Sequence, residues 1–211
     1  MTTGTRASSK ITARAPEHHS ESPEALFAHI PGLRVVVPSS PSRAYGLLLA
    51  AIRDPDPVIF LEPTRLYRLF KQEVTDDGEA LPLDVCFTLC EGNDVTLVSW
   101  GAMLHETQAA AHGLAQQGIL AEVIDVATLK PLDMKTILES VAKTGRCVIV
   151  HEAARTAGYG ALAEHGLYTL LAPVQRITGY DVVVPLAKLE YQYMPNVDRI
   201  VSAVRKTLEA A

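Results

Sequence analysis

The chain has little cysteine, few aromatic residues and no excess of positive charge. Its three cysteines, Cys86, Cys90 and Cys147, are an odd number without CxxC spacing. That excludes a disulfide framework and a cysteine-rich zinc module, and makes a reducing cytoplasm the expected compartment. Lys and Arg number 19 against 24 Asp and Glu, a net charge of −5. Nucleic-acid binding usually leaves a basic footprint, and none is present. No apolar run is long enough to span a bilayer, so no membrane association is expected.

What is present is an ordinary globular composition, 48% hydrophobic and 20% charged over 211 residues. The first residues, "MTTGTRASSKITARAP", are rich in Ser, Thr and basic residues and lack acids. Residues 1–16 read as a disordered tail or an unrelated leader, and a targeting segment has the same composition.

From there the chain alternates short β-branched runs with amphipathic ones. "SPEALFAHI" reads as a helix with Ser22 as N-cap and Pro23 at its first position. "LRVVVP" reads as a buried strand. "SSPSRAYGLLLAAI" is a helix, stopped by "DPDP", and "VIFLE" is the next strand. This β-α-β order predicts parallel strands with a right-handed crossover. Residues 71–83 are polar and turn-rich and read as a linker.

A second unit follows. "CFTLCEG" and "DVTLVSW" read as strands joined by a turn at Gly92-Asn93-Asp94. The helix "AMLHETQAAAHGLAQQ" closes at Gly118, "LAEVID" is a strand, and "DMKTILESVAKT" is a helix between Asp133 and Gly145. "RCVIVHEA", "YGALAEHGLYTLL" and "VQRITG" continue the alternation. The last helix starts at the cap Asn196. Such alternation predicts a three-layer α/β/α sandwich. The first unit supplies only two strands and two helices, which would leave apolar faces and edges uncovered. The expectation is a chain that starts inside a domain.

Candidate chemistry is sparse. His18 and His19 are adjacent, so an extended backbone points them to opposite sides. They suit a polar loop or a general acid/base better than a shared metal. His29, on an apolar helix, reads as a partly buried structural histidine. His105, His112 and His165 read as solvated. His151 and Glu152 end a strand, where open α/β sheets bind ligands; an interfacial hydrogen-bonding pair fits the same letters. "TAGYGAL" is a weak echo of a phosphate loop. Asp54 and Asp56 beside a helix end, where carbonyls are left free, could hold a hard cation or simply stop the helix.

Taken together, "EHHSESPEALFAHIPGLRVVVPSSPSRAYGLLLAAIRDPDPVIFLEPTRLYR", "EGNDVTLVSWGAMLHETQAAA", "AEVIDVATLKPLD", "KTGRCVIVHEA" and "RITGYDVVVP" resemble, in order, the beta subunit of thiamine-diphosphate-dependent 2-oxo acid dehydrogenases. The resemblance runs from about residue 14 to the C-terminus. "FLEPTRLYR" looks more like the branched-chain members than the pyruvate members.

The resemblance implies the C-terminal half of a pyrimidine-binding domain over 17–70, the linker 71–83, and a transketolase-type C-terminal domain over 84–211. It implies oxidative decarboxylation of a 2-oxo acid with acyl transfer to lipoamide. His19, the histidine preceding Ser20, takes the place of the active-site histidine. Ala51, through its carbonyl, Asp54 and Asp56 take the place of a monovalent-cation site, with K+ the candidate ion. Thiamine diphosphate and Mg2+ belong to the parent complex. Its partners are the alpha subunit, a second beta subunit and the acyltransferase core.

Two departures qualify the resemblance. The part of the pyrimidine domain carrying the cofactor-activating glutamate is not in this sequence. The family's Glu-Ala-Pro-Arg-Thr-Gly-Gly-Phe-Gly reads "EAARTAGYG", with Ala154 and Ala157 in place of Pro and Gly. The resemblance therefore implies a fragment inactive on its own, the alternative being a non-catalytic module that binds the alpha subunit or the acyltransferase core.

Overall fold

The computed structural model describes residues 6–7, 22–156, 169–182, 184–185 and 189–210. Two sheets organise them. The smaller holds β1 (Arg6–Ala7), β2 (Arg34–Val36), β3 (Val58–Leu61) and β7 (Thr128–Lys130), in the order β1-β3-β2-β7. The larger holds β4 (Phe87–Cys90), β5 (Val95–Ser99), β6 (Ala121–Asp125), β8 (Cys147–Ala154) and β9 (Gln175–Gly179), in the order β4-β6-β5-β8-β9. β2 and β3 are parallel, as are β5, β6, β8 and β9 where they pair. The α/β class and the parallel crossovers expected from the alternation are present.

Local signals set the helices. α2 (Pro41–Arg53) starts at Ser40, which accepts from the Arg43 amide. α4 (Met134–Thr144) starts at Asp133, which accepts from Thr136, and ends at Gly145 in the left-handed conformation. The last helix, α6 (Val197–Glu209), starts at Asn196, which accepts from Arg199. Each cap satisfies an amide that the first turn leaves free. α3 (Met103–Ala115) ends before Gly118, which takes a positive φ in the turn beyond. α1 (Glu24–Ala28) begins one residue later than expected, with Pro23 at the N-cap position, and Ser22 makes no capping bond. His29 at its end is exposed, not partly buried. α5 (Glu190–Tyr193) is a single turn before α6.

Two long-range features differ from the sequence reading. β4 does not pair with β5 across the Gly92 turn; it lies antiparallel to β6 at the sheet edge. And the first unit does not stand alone. After β6 the chain turns at Ala127, a positive-φ residue, and enters β7, which pairs antiparallel with β2. One stretch, 121–130, thus serves both sheets and covers the β2 edge that the two-strand reading left open. Arg6–Ala7, within the expected leader, pairs parallel with β3.

Burial follows the pleat. In β5, Val95 and Leu97 face α3 and α6, while Val98, and Trp100 just beyond the strand, face the other way. That second face shares one core with α4 and with Val35, Val37, Ile59 and Leu61 of the small sheet. α2 covers the small sheet's far side through Leu47 against Val36, Val58 and Phe60. The linker 71–83 is tacked to α2: the Tyr45 hydroxyl donates to Asp76 at 2.6 Å and accepts from the Gly78 amide at 2.9 Å.

Candidate active-site face

The carboxyl ends of the parallel strands bring together several polar and ionisable groups. β5 ends at Ser99, β6 at Asp125, and β8 carries His151 and Glu152 near its end. β5 sends the chain to β6 on one side, and β6 crosses back to β8 on the other. The gap between β5 and β8 is therefore the topological switch point, where open α/β sheets bind ligands.

At that point α1 meets the C-terminal unit. Trp100, the residue after β5, donates from Nε1 to Glu24 Oε1 over a long 3.4 Å. Its ring stacks on His151, centroids 5.2 Å apart and planes within 11°. Both His151 ring nitrogens and Glu152 Oε2 are buried without a hydrogen-bond partner. Burial, and secondarily the charge of Arg176, push His151 down to about 4, so it is a neutral imidazole at physiological pH. Burial also pushes Glu152 up to about 8, with Glu24 adding to the rise and Arg65 opposing it. The Ser22 hydroxyl pulls weakly the same way as Arg65 without reaching hydrogen-bond geometry. Glu24 is raised for the same first reason, burial, against its own backbone amide and Trp100.

On the other side of β5, Asp125 is fully buried beneath a cleft of about 390 Å³ lined by Ser39, Ser40, Arg43, Gln72, His105 and Gln108, among others. Ser39 Oγ donates to Asp125 at 2.5 Å, and Arg43 stands 3.8 Å away with its guanidinium 3.6 Å over the Phe87 ring. Burial lifts Asp125 to about 6 despite these partners.

Of the residues singled out from sequence, His151 and Glu152 lie at the switch point. His18 and His19 lie outside the described residues, as do His165, Gly158 and Gly160; the first described residues that follow the two histidines in sequence are Ser22 and then α1. His105 and His112 are exposed. Ala51 sits in the last turn of α2, and its i+4 position is Pro55, which has no amide to offer. Asp54 and Asp56 both stand close to Arg34, at 3.4 and 3.8 Å, and Arg34 also binds Asp84. A cation at that corner therefore meets carboxylates already engaged by a guanidinium. Among the described residues, no three His, Cys, Asp or Glu side chains gather as a metal cluster. Sequence reasoning missed Glu24 and Trp100, because an acid in a first helical turn reads as a solvated dipole partner.

Residues 86–200 match the family "Transketolase, C-terminal domain" and residues 1–69 match "Transketolase, pyrimidine binding domain". The chain is 45% identical over 202 residues to the pyruvate dehydrogenase E1 component subunit beta of Acholeplasma laidlawii, covering 93% of this chain and 62% of that protein. It is 44% identical over 211 residues to the mitochondrial 2-oxoisovalerate dehydrogenase subunit beta 2 of Arabidopsis thaliana, covering 94% and 59%. Among solved structures, a split gene transketolase described as an inactive beta4 tetramer superposes with a TM-score of 0.79 at 28% identity, over 97% of this chain and 66% of that one. The chain thus spans about three fifths of the length of these two curated relatives. By these matches the chain belongs to the transketolase family, as a pyrimidine-binding segment joined to a transketolase C-terminal domain of the kind found in beta subunits of 2-oxo acid dehydrogenases.

Proposed function

We propose that this chain acts as beta-subunit material of a thiamine-diphosphate-dependent 2-oxo acid dehydrogenase. The reaction is oxidative decarboxylation of a 2-oxo acid, with the acyl group passed to lipoamide. The observation that carries the reading is similarity to beta subunits along nearly the whole chain. In this reading the pyrimidine-binding part runs over 17–70, the linker over 71–83 and the C-terminal domain over 84–211. His19 is the acid/base residue, five positions ahead of α1 in the sequence. A branched-chain 2-oxo acid is favoured over pyruvate by "FLEPTRLYR", which spans the last two residues of β3 and the turn after it.

The described residues do not fit the whole cofactor. A diphosphate held through Mg2+ needs oxygen ligands at one place, and among the described residues no such carboxylate cluster is gathered. The alpha subunit is the proposed source of that clamp, so the chain alone is proposed to be inactive. K+ is proposed at the Ala51 carbonyl with Asp54 and Asp56, in competition with Arg34. Raising thermal stability with KCl over choline chloride, and a larger rise in Arg34→Met, would support that site; equal melts in both salts would oppose it.

No helix among the described residues is long and apolar enough to cross a membrane. A cytoplasmic setting, with an alpha subunit, a second beta subunit and an acyltransferase core as partners, belongs to the same proposal. The second reading, a non-catalytic assembly module, is favoured by the C-terminal unit, which holds a five-stranded sheet of its own. Co-expression with an alpha subunit separates the two. Lipoamide acylation by the pair supports the enzyme, and a stable but inactive pair supports the module.

A further inference from the structure

Arg43 is an arginine whose fork finds no acceptor. Its guanidinium lies 3.6 Å over the Phe87 ring, and its side chain is 23% exposed. The nearest carboxylate oxygen, Asp125 Oδ2, stands at 3.8 Å, beyond hydrogen-bond reach. Among the described residues no other group takes a hydrogen bond from this side chain. Other half-buried arginines are already engaged. Arg65 donates to Glu106 at 2.8 Å, and Arg199 donates to three backbone carbonyls, the shortest contact being 2.7 Å.

Asp125 does not depend on Arg43 for its bonding. Its two oxygens accept from the Ser39 hydroxyl at 2.5 Å and from the Ala127 amide at 3.2 Å. The start of α2 leaves no amide over either. Pro41 has none, the Ser42 amide donates to Gln72 Oε1 at 3.1 Å, and the Arg43 amide donates to Ser40 Oγ at 3.3 Å. The group left for a ligand is therefore the guanidinium itself and not a helix end.

The space beside it is the cleft of about 390 Å³, a volume usual for a small-molecule site. Both units wall it, with Ser40 and Ser42 from α2, Gln72 from the linker, Leu89 from β4, and Leu104 and Gln108 from α3. Stacking on Phe87 holds the guanidinium plane, and a planar fork of donors is what a carboxylate fits with two bonds. Arg43 and Asp125 together carry no net charge, so a second anion is tolerated best when it is a monoanion. Leu89 and Leu104 suit an apolar body better than a hydrated one.

We propose that this cleft binds a small organic monocarboxylate, with the carboxylate on Arg43 and an apolar body against Leu89 and Leu104. The site lies on the other side of β5 from the Trp100–His151 stack, and its ligand need not be one that the chain turns over.

The probe is 3-methylbutanoate, titrated into the isotopically labelled 211-residue chain and followed by amide and guanidinium chemical shifts. Saturable binding with a dissociation constant on the order of millimolar is expected for a ligand of this size. The neutral isostere 3-methylbutanamide should bind about tenfold more weakly or worse, the scale of a charged hydrogen bond. Arg43→Met keeps an apolar contact with Phe87 and removes the fork. It should cost the acid about tenfold or more and leave the amide unchanged. No saturable binding in the millimolar range overturns the site. So does equal binding of acid and amide, or parent-like affinity for the acid in Arg43→Met. Inorganic phosphate binding more tightly than the acid overturns the monocarboxylate assignment. If circular dichroism shows that Arg43→Met does not fold, Gln108→Glu decides, since Gln108 is exposed on α3 and the change adds a negative charge to the cleft lining. Several-fold weaker binding of the acid, with the amide unaffected, supports the site; unchanged affinity for the acid overturns it.

Discussion

Lys130 Nζ donates to the carbonyl of Ala28 at 2.9 Å, across 102 positions of sequence. A cation there meets the partial negative charge of a helix end and satisfies carbonyls that α1 leaves free. The same residue pairs with Val35 in the small sheet, so one lysine ties α1, β2 and β7 together.

Lys130→Met should therefore weaken the whole joint. It keeps the apolar stem and removes the charged donor. The expected loss is about 1–2 kcal/mol, the scale of a charged hydrogen bond that is partly exposed. Urea denaturation of parent and variant measures it. A midpoint unchanged within error would show that the α1 cap contributes nothing.

Asp125 predicts an acid-side signature. Its folded value, about 6, lies above the model-compound value of 3.8. The folded state then holds this proton more tightly than the unfolded chain, and stability falls as pH rises from about 4 to 6, levelling above that. The size is on the order of 2–3 kcal/mol. Asp125→Asn should flatten this component of the stability–pH curve between pH 4 and 6. An equal slope in parent and variant would show that the buried carboxyl does not titrate there.

The fold was legible where the signal was local. Ser40, Asp133 and Asn196 were readable as caps because a cap needs only its own first turn. β5, β6 and β8 were readable as strands from their β-branched runs. Pairing was not, because register depends on partners distant in sequence. β4 beside β6, and β7 stitched to β2, follow from the course of the chain around Ala127 and from edges that need covering. The short alternation in "VATLK" was the one available hint of β7. At the candidate site, His151 and Glu152 were legible as strand-end residues. The burial of Glu24 was not, since only the docking of α1 onto Trp100 makes it an interior group.

Gly92 should tolerate no side chain. A Cβ there would stand 2.3 Å from the Ala121 carbonyl carbon and 2.4 Å from the Leu120 oxygen, both backbone. The strand start of β6 would have to move. Gly92→Ala should destabilise by about 2 kcal/mol or more, the range of strain at an over-determined backbone site. Thermal unfolding checks it; a loss below about 0.5 kcal/mol, typical of an open surface position, would contradict the packing described.

The central claim is that this chain supplies the beta-type half of a two-subunit active site, with His19 as its acid/base residue. Lipoamide acylation from a 2-oxo acid, measured with this chain alone, with an alpha subunit, and with the His19→Ala and His18→Ala variants in that pair, tests it most directly. The account predicts no turnover by the chain alone and turnover by the pair. It predicts a loss of about 10²–10⁴-fold in His19→Ala, the usual contribution of a general acid/base, and a much smaller loss in His18→Ala. Turnover by the chain alone, or His19→Ala within a few-fold of the parent pair, would contradict it.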